Sequence, residues 1–455
     1  MYKKKHVWQK DKVMKVLLFY LFTFLTLSAQ TYSLEQLKDS ALQNNVAVRN
    51  ARYGIEAARQ QRREAFTKYF PTVSGSGLCF NANKGMAQTS FTPSEMIPAE
   101  LGTTLTQMMP AEALASLASP VNISMLKNGT IAGITAVQPV FAGGQIINGN
   151  KLAKVGEDVS RLQLQMSENE VERTTEQYYW QVVSLEEKMK TVAAVENMLD
   201  DIRKDVEVAV RAGVAMRNDL LQVQLRQNEV ESQKLKLKNG VSIVRMLLAQ
   251  YCGLHTTVFT LRHADEAPSP DALKRDHDQA LLTTTEYQLL GKQVEAARLQ
   301  KRLTLGQQLP TVAVGAGYNY HNLMENNHTF GMLFATVSVP ISDWWGGSHA
   351  IKRRQIAYRQ AVDEQCDKSD LLRIRMENCW NSVEESYQQL AIAQRSIEQA
   401  EENLRLNRDY YKAGTSKMSD LLEAQLLYQQ SLDSRTDAFI DYHTNILKYR
   451  QATGQ

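Results

Sequence analysis

The chain contains the stretch RAGVAMRNDLLQVQL at residues 211–225 and a related stretch, KAGTSKMSDLLEAQL, at residues 412–426. At an offset of 201 residues the two share an Ala-Gly pair, an Asp-Leu-Leu triplet and a Gln-Leu pair. Glycine accepts the left-handed backbone that ends many helices, and an Asp six residues later can cap the helix that follows. Each stretch therefore predicts the tip of a helical hairpin, with Gly213 and Gly414 at the turns.

The same offset recurs outside the tips, because Pro139 matches Pro340 and Gly253 matches Gly454 at 201 residues. An internal repeat at a fixed offset predicts a duplicated architecture. We place the first repeat at residues 30–253 and the second at 271–455, with an irregular linker at 254–270.

One marker departs from this offset. Pro71 and Pro310, which end equivalent helical stretches, are 239 residues apart. The first repeat therefore carries about 38 extra residues before the shared offset is restored. They fall within residues 81–128, for which we expect a long loop.

The first 29 residues have the features of a secretory signal peptide: six Lys, a short apolar run at residues 16–27 and small residues at its end. Cleavage is expected between Ala29 and Gln30. This segment holds a net charge of +5, so the rest of the chain has a formal net charge of about −2. A weakly acidic mature chain argues against nucleic-acid binding.

Long helices dominate the remaining pattern. Residues 144–213 contain no Pro, and at 1.5 Å per residue this stretch spans roughly 100 Å, so it must lie against partner helices. On the helix that occupies the same place in the second repeat, a heptad seam is apolar at eight of eleven positions. Its polar positions leave two interpretations open: a loosely packed seam, or a helix with one face on a partner and another in water, which we favour. The seam positions are Met376, Trp380, Val383, Tyr387, Leu390, Gln394, Ile397, Glu401, Leu404, Arg408 and Tyr411.

Four strands are predicted, at about residues 72–80, 130–141, 311–321 and 329–341. In the third strand Val312, Val314, Ala316, Tyr318 and Tyr320 share one face, and small or polar residues occupy the other. Such alternation fits a membrane barrel with lipid outside and water inside, while a sandwich with a one-sided core is the alternative. Because four strands cannot close a barrel, a barrel would require several chains. The fold class is mostly α with a small β part.

The sequence offers no chemistry of an enzyme. It contains no phosphate-binding loop, no GxSxG nucleophile turn and no HExxH motif. The four Cys have unrelated spacings, which argues against a disulfide framework or a zinc site. We therefore expect no enzymatic activity, no cofactor and no metal site.

The doubled plan of helix, two strands and helical hairpin resembles the TolC-type outer membrane efflux family. The segments that carry the resemblance are ALQNN at 41–45, FPTV at 70–73, QPVFAGGQ at 138–145, LPTVAVGAGY at 309–318, VPISDWWGG at 339–347 and the two tips. The resemblance implies a homotrimer with a twelve-stranded barrel in outer-membrane lipid and a helical tunnel in the periplasm. It also implies docking on a periplasmic adaptor protein and an inner-membrane transporter, with Gly213 and Gly414 at the docking tips. Tyr318 and Tyr320 would lie at the membrane interface.

Two hypotheses apply to the acidic residues at the tips. Asp420 and Glu423, three residues apart, can form a capping box at the start of a helix, as can Asp219 and Gln222. In TolC-like proteins, acidic residues near this position line the closed periplasmic entrance, so Asp420 and Glu423 are also candidates for a gate. Asp219 is a weaker candidate, because its partner Gln222 carries no charge. The two roles are compatible.

Two functions are considered. The first, which the resemblance implies, is a passive outer membrane channel of a tripartite efflux or export system. The alternative is a secreted coiled-coil structural or adhesive protein, in which the strands would have no membrane role.

Overall fold

A computed structural model describes residues 30–98, 101, 109–125, 127–262, 267–323 and 327–454. Ala29 of the predicted cleavage site lies outside this part of the chain, and Gln30 is the first residue of strand β1. Among the described residues, none of the helices combines the length and the apolar composition that a membrane span requires.

Helices make up most of the described chain, which confirms the predicted fold class. The helices are α1 (Leu34–Asn44), α2 (Val46–Thr67), α3 (Ala111–Leu117), α4 (Gln145–Arg211), α5 (Arg217–Cys252), α6 (His277–Thr283), α7 (Thr285–Gln307), α8 (Asp343–Lys412) and α9 (Met418–Ala452). The strands are β1 (Gln30–Ser33), β2 (Thr72–Asn81), β3 (Ala87–Phe91), β4 (Val121–Met125), β5 (Asn128–Ala142), β6 (Phe259–Arg262), β7 (Thr311–Asn322) and β8 (Asn327–Ser338).

The chain divides into two compact units. The helical unit comprises Met1–Ala58, Glu157–Val294 and Ala361–Gln455, and the sheet unit comprises Arg59–Gly156 and Glu295–Gln360.

The sheet unit contains a four-stranded antiparallel sheet in the order β2-β5-β7-β8. Strands β2, β5, β7 and β8 occupy the regions where alternation predicts strands. Each repeat contributes one strand pair, and the two pairs join where β5 lies beside β7. Pro139 lies at a register shift between β5 and β7, where a missing N–H donor disturbs the ladder least.

The extra segment of the first repeat is more ordered than the expected long loop. Strands β3 and β4 pair antiparallel from Ala87↔Met125 to Phe91↔Val121. Between them lie helix α3 and a short 3-10 turn at Pro93–Met96. The expectation of a plain loop at residues 81–128 was therefore wrong, because the five-residue strands are too short to show a clear alternation.

The predicted irregular linker also contains a strand. Within residues 254–270, β6 pairs in parallel with β1, from Gln30↔Phe259 to Ser33↔Arg262. Phe259 is buried in a cluster with Leu37, Ala41 and Leu248. The linker is thus fastened to the first residues of the helical unit.

The heptad seam of α8 is buried at its apolar end. Met376 and Val383 are fully buried and Trp380 nearly so. Toward the tip, Gln394 and Glu401 are exposed, whereas Leu404 is buried against residues of α4 and α5. Met376, Trp380, Val383 and Leu404 therefore pack within the chain, whereas Tyr387, Gln394 and Glu401 of the same seam are exposed.

Candidate functional site

The two hairpin tips have the same backbone geometry. Gly213 and Gly414 have φ of +76° and +75°. The next residue in each tip, Val214 or Thr415, donates its backbone N–H to the carbonyl five residues back, at 3.0 Å. This is the pattern of a Schellman motif, in which a left-handed residue closes the helix. The turn predicted at each glycine is present in both repeats.

The acidic residue of each tip lies at the third position of the following helix. A carboxylate oxygen of Asp219 accepts the backbone N–H of Met216 at 3.2 Å. Asp420 accepts the N–H of Lys417 at the same distance, together with the hydroxyls of Ser416 and Ser419. Each Asp therefore supplies the reciprocal, third-position half of a capping box and is not itself the N-cap.

These hydrogen bonds stabilise the ionised form of Asp420. The backbone N–H of Lys417 lowers the pKa of this carboxyl group most, and the hydroxyls of Ser419 and Ser416 lower it further. Asp420 is exposed and therefore carries its negative charge on the surface at neutral pH. Glu423, one turn further along α9, is also exposed.

A groove of about 910 Å³ lies between the two tips. Its floor is apolar and belongs to a buried cluster of α4, α5, α8 and α9 that includes Leu199, Val223 and Leu404. Burial and the nearby carboxylate of Asp219 raise the pKa of Tyr411 in the wall of the groove. The floor residues are Ile202, Val206, Met418 and Leu421, and the charged wall residues are Asp205, Asp219, Arg408, Lys412 and Lys417.

The groove brings together only some of the predicted site residues. Gly213, Gly414 and Asp219 line it, whereas Asp420, Glu423 and Gln222 do not. The basic wall residues Arg408, Lys412 and Lys417 were missed by sequence reasoning. Arg408 belongs to the heptad seam, and its polar character at a seam position was the one available signal.

The four-stranded sheet has two chemically different faces. The apolar face carries Val73, Ile134, Tyr318, Leu333 and Val337, of which Leu333 is 87% exposed and Tyr318 63% exposed. The mixed face carries the polar residues Ser74, Thr135, Asn319, His321 and Thr336 and also the exposed apolar residues Leu78, Phe330 and Met332. Both sets follow from the strand register.

Tyr318 and Tyr320 share the apolar face of β7, as the alternation predicts. The hydroxyl of Tyr320 lies 2.9 Å from the side-chain oxygen of Asn327 at the hairpin end of the sheet, and Tyr318 extends into open space. Each ring has an apolar body and a polar tip, the combination found where hydrocarbon meets water.

Comparison with known proteins identifies the fold. Residues 279–455 match the family model described as outer membrane efflux protein. No curated protein matches the chain.

Three solved structures illustrate the likeness. The outer membrane protein VceC from Vibrio cholerae is 14% identical, with a TM-score of 0.73 over 92% of this chain and 96% of that one. The Campylobacter jejuni CmeC outer membrane channel is 14% identical, with a TM-score of 0.71 over 92% and 85%. The Neisseria gonorrhoeae MtrE outer membrane channel is 14% identical, with a TM-score of 0.69 over 92% and 88%.

Proposed function

We propose that this chain, whose residues 279–455 match the outer membrane efflux protein family model and whose fold resembles that of solved outer membrane channels, is the outer membrane channel of a tripartite efflux or export system. It would act as a passive channel, without enzymatic activity, between a periplasmic adaptor and inner-membrane transporter and the cell exterior. The resemblance inferred from the sequence is confirmed by the fold.

The sheet provides the main support for a membrane channel. Its apolar face exposes Ile134, Tyr318, Leu333 and Val337, a surface that water solvates poorly and lipid solvates well. The outer edges of β2 and β8 have no strand partner among the described residues. A sheet with an unpaired edge strand and an exposed apolar face tends strongly to associate with other chains.

Pairing between chains removes both exposed features at once. When the β8 edge of one chain pairs with the β2 edge of the next, the sheet closes without leaving an edge. Three chains of four strands each form the twelve-stranded barrel. The apolar face then contacts outer-membrane lipid, and the mixed face lines the lumen.

The tips support the periplasmic part of the proposal. The groove between Gly213 and Gly414 has an apolar floor and a charged wall, which suits docking of a helical hairpin of an adaptor protein. Asp420 and Glu423 lie outside the groove on an exposed surface, where three chains would place six carboxylates around an entrance. Such a ring would bind cations and restrict flow.

Reconstitution tests the proposal against its alternative. Purified mature protein in detergent should give a heat-sensitive trimer on gels, fractionate with outer membranes and conduct ions across a planar bilayer. A coiled-coil structural or adhesive protein would instead be recovered as a water-soluble chain. A soluble monomer that conducts no ions would refute the channel.

A further inference from the structure

Two histidines lie directly opposite each other at the end of the β7–β8 hairpin. His321 and His328 are register partners, one step from the terminal pair Asn322↔Asn327. Their ring centres are 5.4 Å apart, and the ring planes are inclined by 32°. Directly opposed residues of an antiparallel pair share a face of the sheet, so the strand register itself brings the two imidazoles together.

The two imidazole rings differ in their exposure to solvent. His321 is partly buried, with Phe330 packed at 6.1 Å between ring centres. Its Nδ1 is buried and has no hydrogen-bond partner in the part of the chain that the structure describes. His328 is exposed. A ligand can therefore approach from solvent through His328, and the Nδ1 of His321 can bind it without the loss of an existing hydrogen bond.

The spacing of the rings suits one shared metal ion. Two imidazoles on one ion, each with a metal–nitrogen bond of about 2.0–2.1 Å, place their ring centres about 4.5 Å apart in the square-planar geometry that Cu²⁺ prefers and about 5 Å apart in a tetrahedral site. The observed separation of 5.4 Å lies within about 1 Å of both values. Imidazole favours Cu²⁺, Ni²⁺ and Zn²⁺, and Cu²⁺ forms the tightest complexes in this series.

We propose that His321 and His328 form a binding site for a divalent transition-metal ion, one ion per chain, with Cu²⁺ bound most tightly. No group of three or more His, Cys, Asp or Glu side chains within the described residues could hold a metal. Water completes the coordination, and the bound ion remains exchangeable. The site lies within one chain, so it does not depend on the proposed channel. In that channel it would face the lumen.

Calorimetric titration with CuCl₂ tests the site, using purified mature protein that carries no polyhistidine tag. The variants are His321→Ala and His328→Ala, and His349→Ala is the matched control because His349 is a single exposed histidine on α8. Wild type and control should bind one Cu²⁺ per chain. His321→Ala and His328→Ala should each bind Cu²⁺ at least about tenfold more weakly than wild type. Loss of an outer-shell partner alone lowers metal affinity by about this factor, and loss of a direct ligand should lower it at least as much. Electron paramagnetic resonance of the wild-type complex should show two nitrogen ligands.

The choice of ion gives a further readout. Mg²⁺, which prefers oxygen ligands, should not compete. The proposal is overturned if both alanine variants, shown to be folded by circular dichroism, keep the affinity of the control. Failure of wild type to bind Cu²⁺ would overturn it equally.

Discussion

Arg226 of α5 donates from its Nη2 to the Oε1 of Gln429 of α9 at 2.9 Å, and this bond joins the second helices of the two hairpins. The Nε of the same guanidinium donates to the Oε1 of Gln425 at 3.1 Å. Gln425 is fully buried and Gln429 nearly so. A planar guanidinium with several donors satisfies both amide oxygens at once.

Replacement of Arg226 with Ala should therefore destabilise the hairpins. It leaves two buried amide oxygens without donors, and we expect a loss of about 2–4 kcal/mol in the free energy of unfolding. Denaturant titration followed by circular dichroism measures it. Arg405→Ala is the control, because Arg405 pairs with Glu402 and Asp409 on an exposed helix face and should contribute little. An Arg226→Ala loss as small as that of the control would contradict the prediction.

Leu333→Arg tests which face of the sheet contacts lipid. Leu333 lies in the middle of β8 on the apolar face. A charge there should cost about 2–4 kcal/mol in a bilayer, the scale measured near the midplane of membrane barrels. We expect loss of the heat-sensitive oligomer and of protein in the outer-membrane fraction. Thr336→Arg, on the mixed face of the same strand, should be tolerated. Equal behaviour of the two variants would mean that the faces are wrongly assigned.

The double variant Asp420→Ala, Glu423→Ala tests the proposed gate. Removal of the carboxylates should weaken cation binding at the entrance and loosen the start of α9, since Asp420 also accepts the N–H of Lys417. We expect a higher single-channel conductance in planar bilayers and a weaker block by divalent cations.

The first hairpin provides the control for this gate. Asp219→Ala with Gln222→Ala removes the equivalent acceptor of the backbone N–H of Met216 and does not remove the exposed acid pair of the second tip. It should change conductance less. If conductance and cation block are unchanged in the Asp420, Glu423 variant, these residues act only as part of the helix start.

His443 should make the helical unit sensitive to acid. Its ring stacks on Trp180 at 4.3 Å, and its Nε2 is buried without a hydrogen-bond partner among the described residues. Burial lowers the pKa of His443 to about 4, an effect that Glu176 opposes and Arg450 supports. The unfolded chain therefore takes up this proton at a higher pH than the folded chain, so stability should fall as the pH decreases from about 6.5 to about 4.

The variant His443→Phe preserves an aromatic ring beside Trp180 and removes the titration. Between about pH 6.5 and pH 4, the free energy of unfolding should decrease in wild type by on the order of 2–3 kcal/mol more than in the variant. Denaturant titrations at pH 7, 5.5 and 4 measure the difference. Parallel pH profiles for the two proteins would show that His443 is not responsible.

The sequence was most informative where local chemistry determines structure. Gly213 and Gly414 require a left-handed backbone, so the two tips could be found from a short repeated stretch. The alternation in β7 predicts the face on which Tyr318 and Tyr320 lie, because successive side chains of a strand point to opposite sides. These local signals, repeated at a fixed offset, were sufficient for the fold class.

The features that were missed depend on contacts distant in sequence. Strand β6 has four residues, and its partner β1 lies more than 200 residues away. Arg226 is buried where it bonds to Gln425 and Gln429 of α9, and the matching position of the second repeat is the exposed Leu427. The exact role of Asp420 also required coordinates, since Asp occurs both at the N-cap and at the third helical position.

The junction between β5 and β7 has a consequence for how chains would recognise one another. In the described part of the chain, the strands of the two repeats pair within the four-stranded sheet at this junction, and both strands belong to a single polypeptide. Because β5 and β8 are the second strands of their repeats and β7 and β2 are the first, pairing of β8 with the β2 of a neighbouring chain would repeat the pairing of β5 with β7. The β8–β2 contact between separate chains would thus have the same geometry as the β5–β7 pairing that each chain already forms within itself.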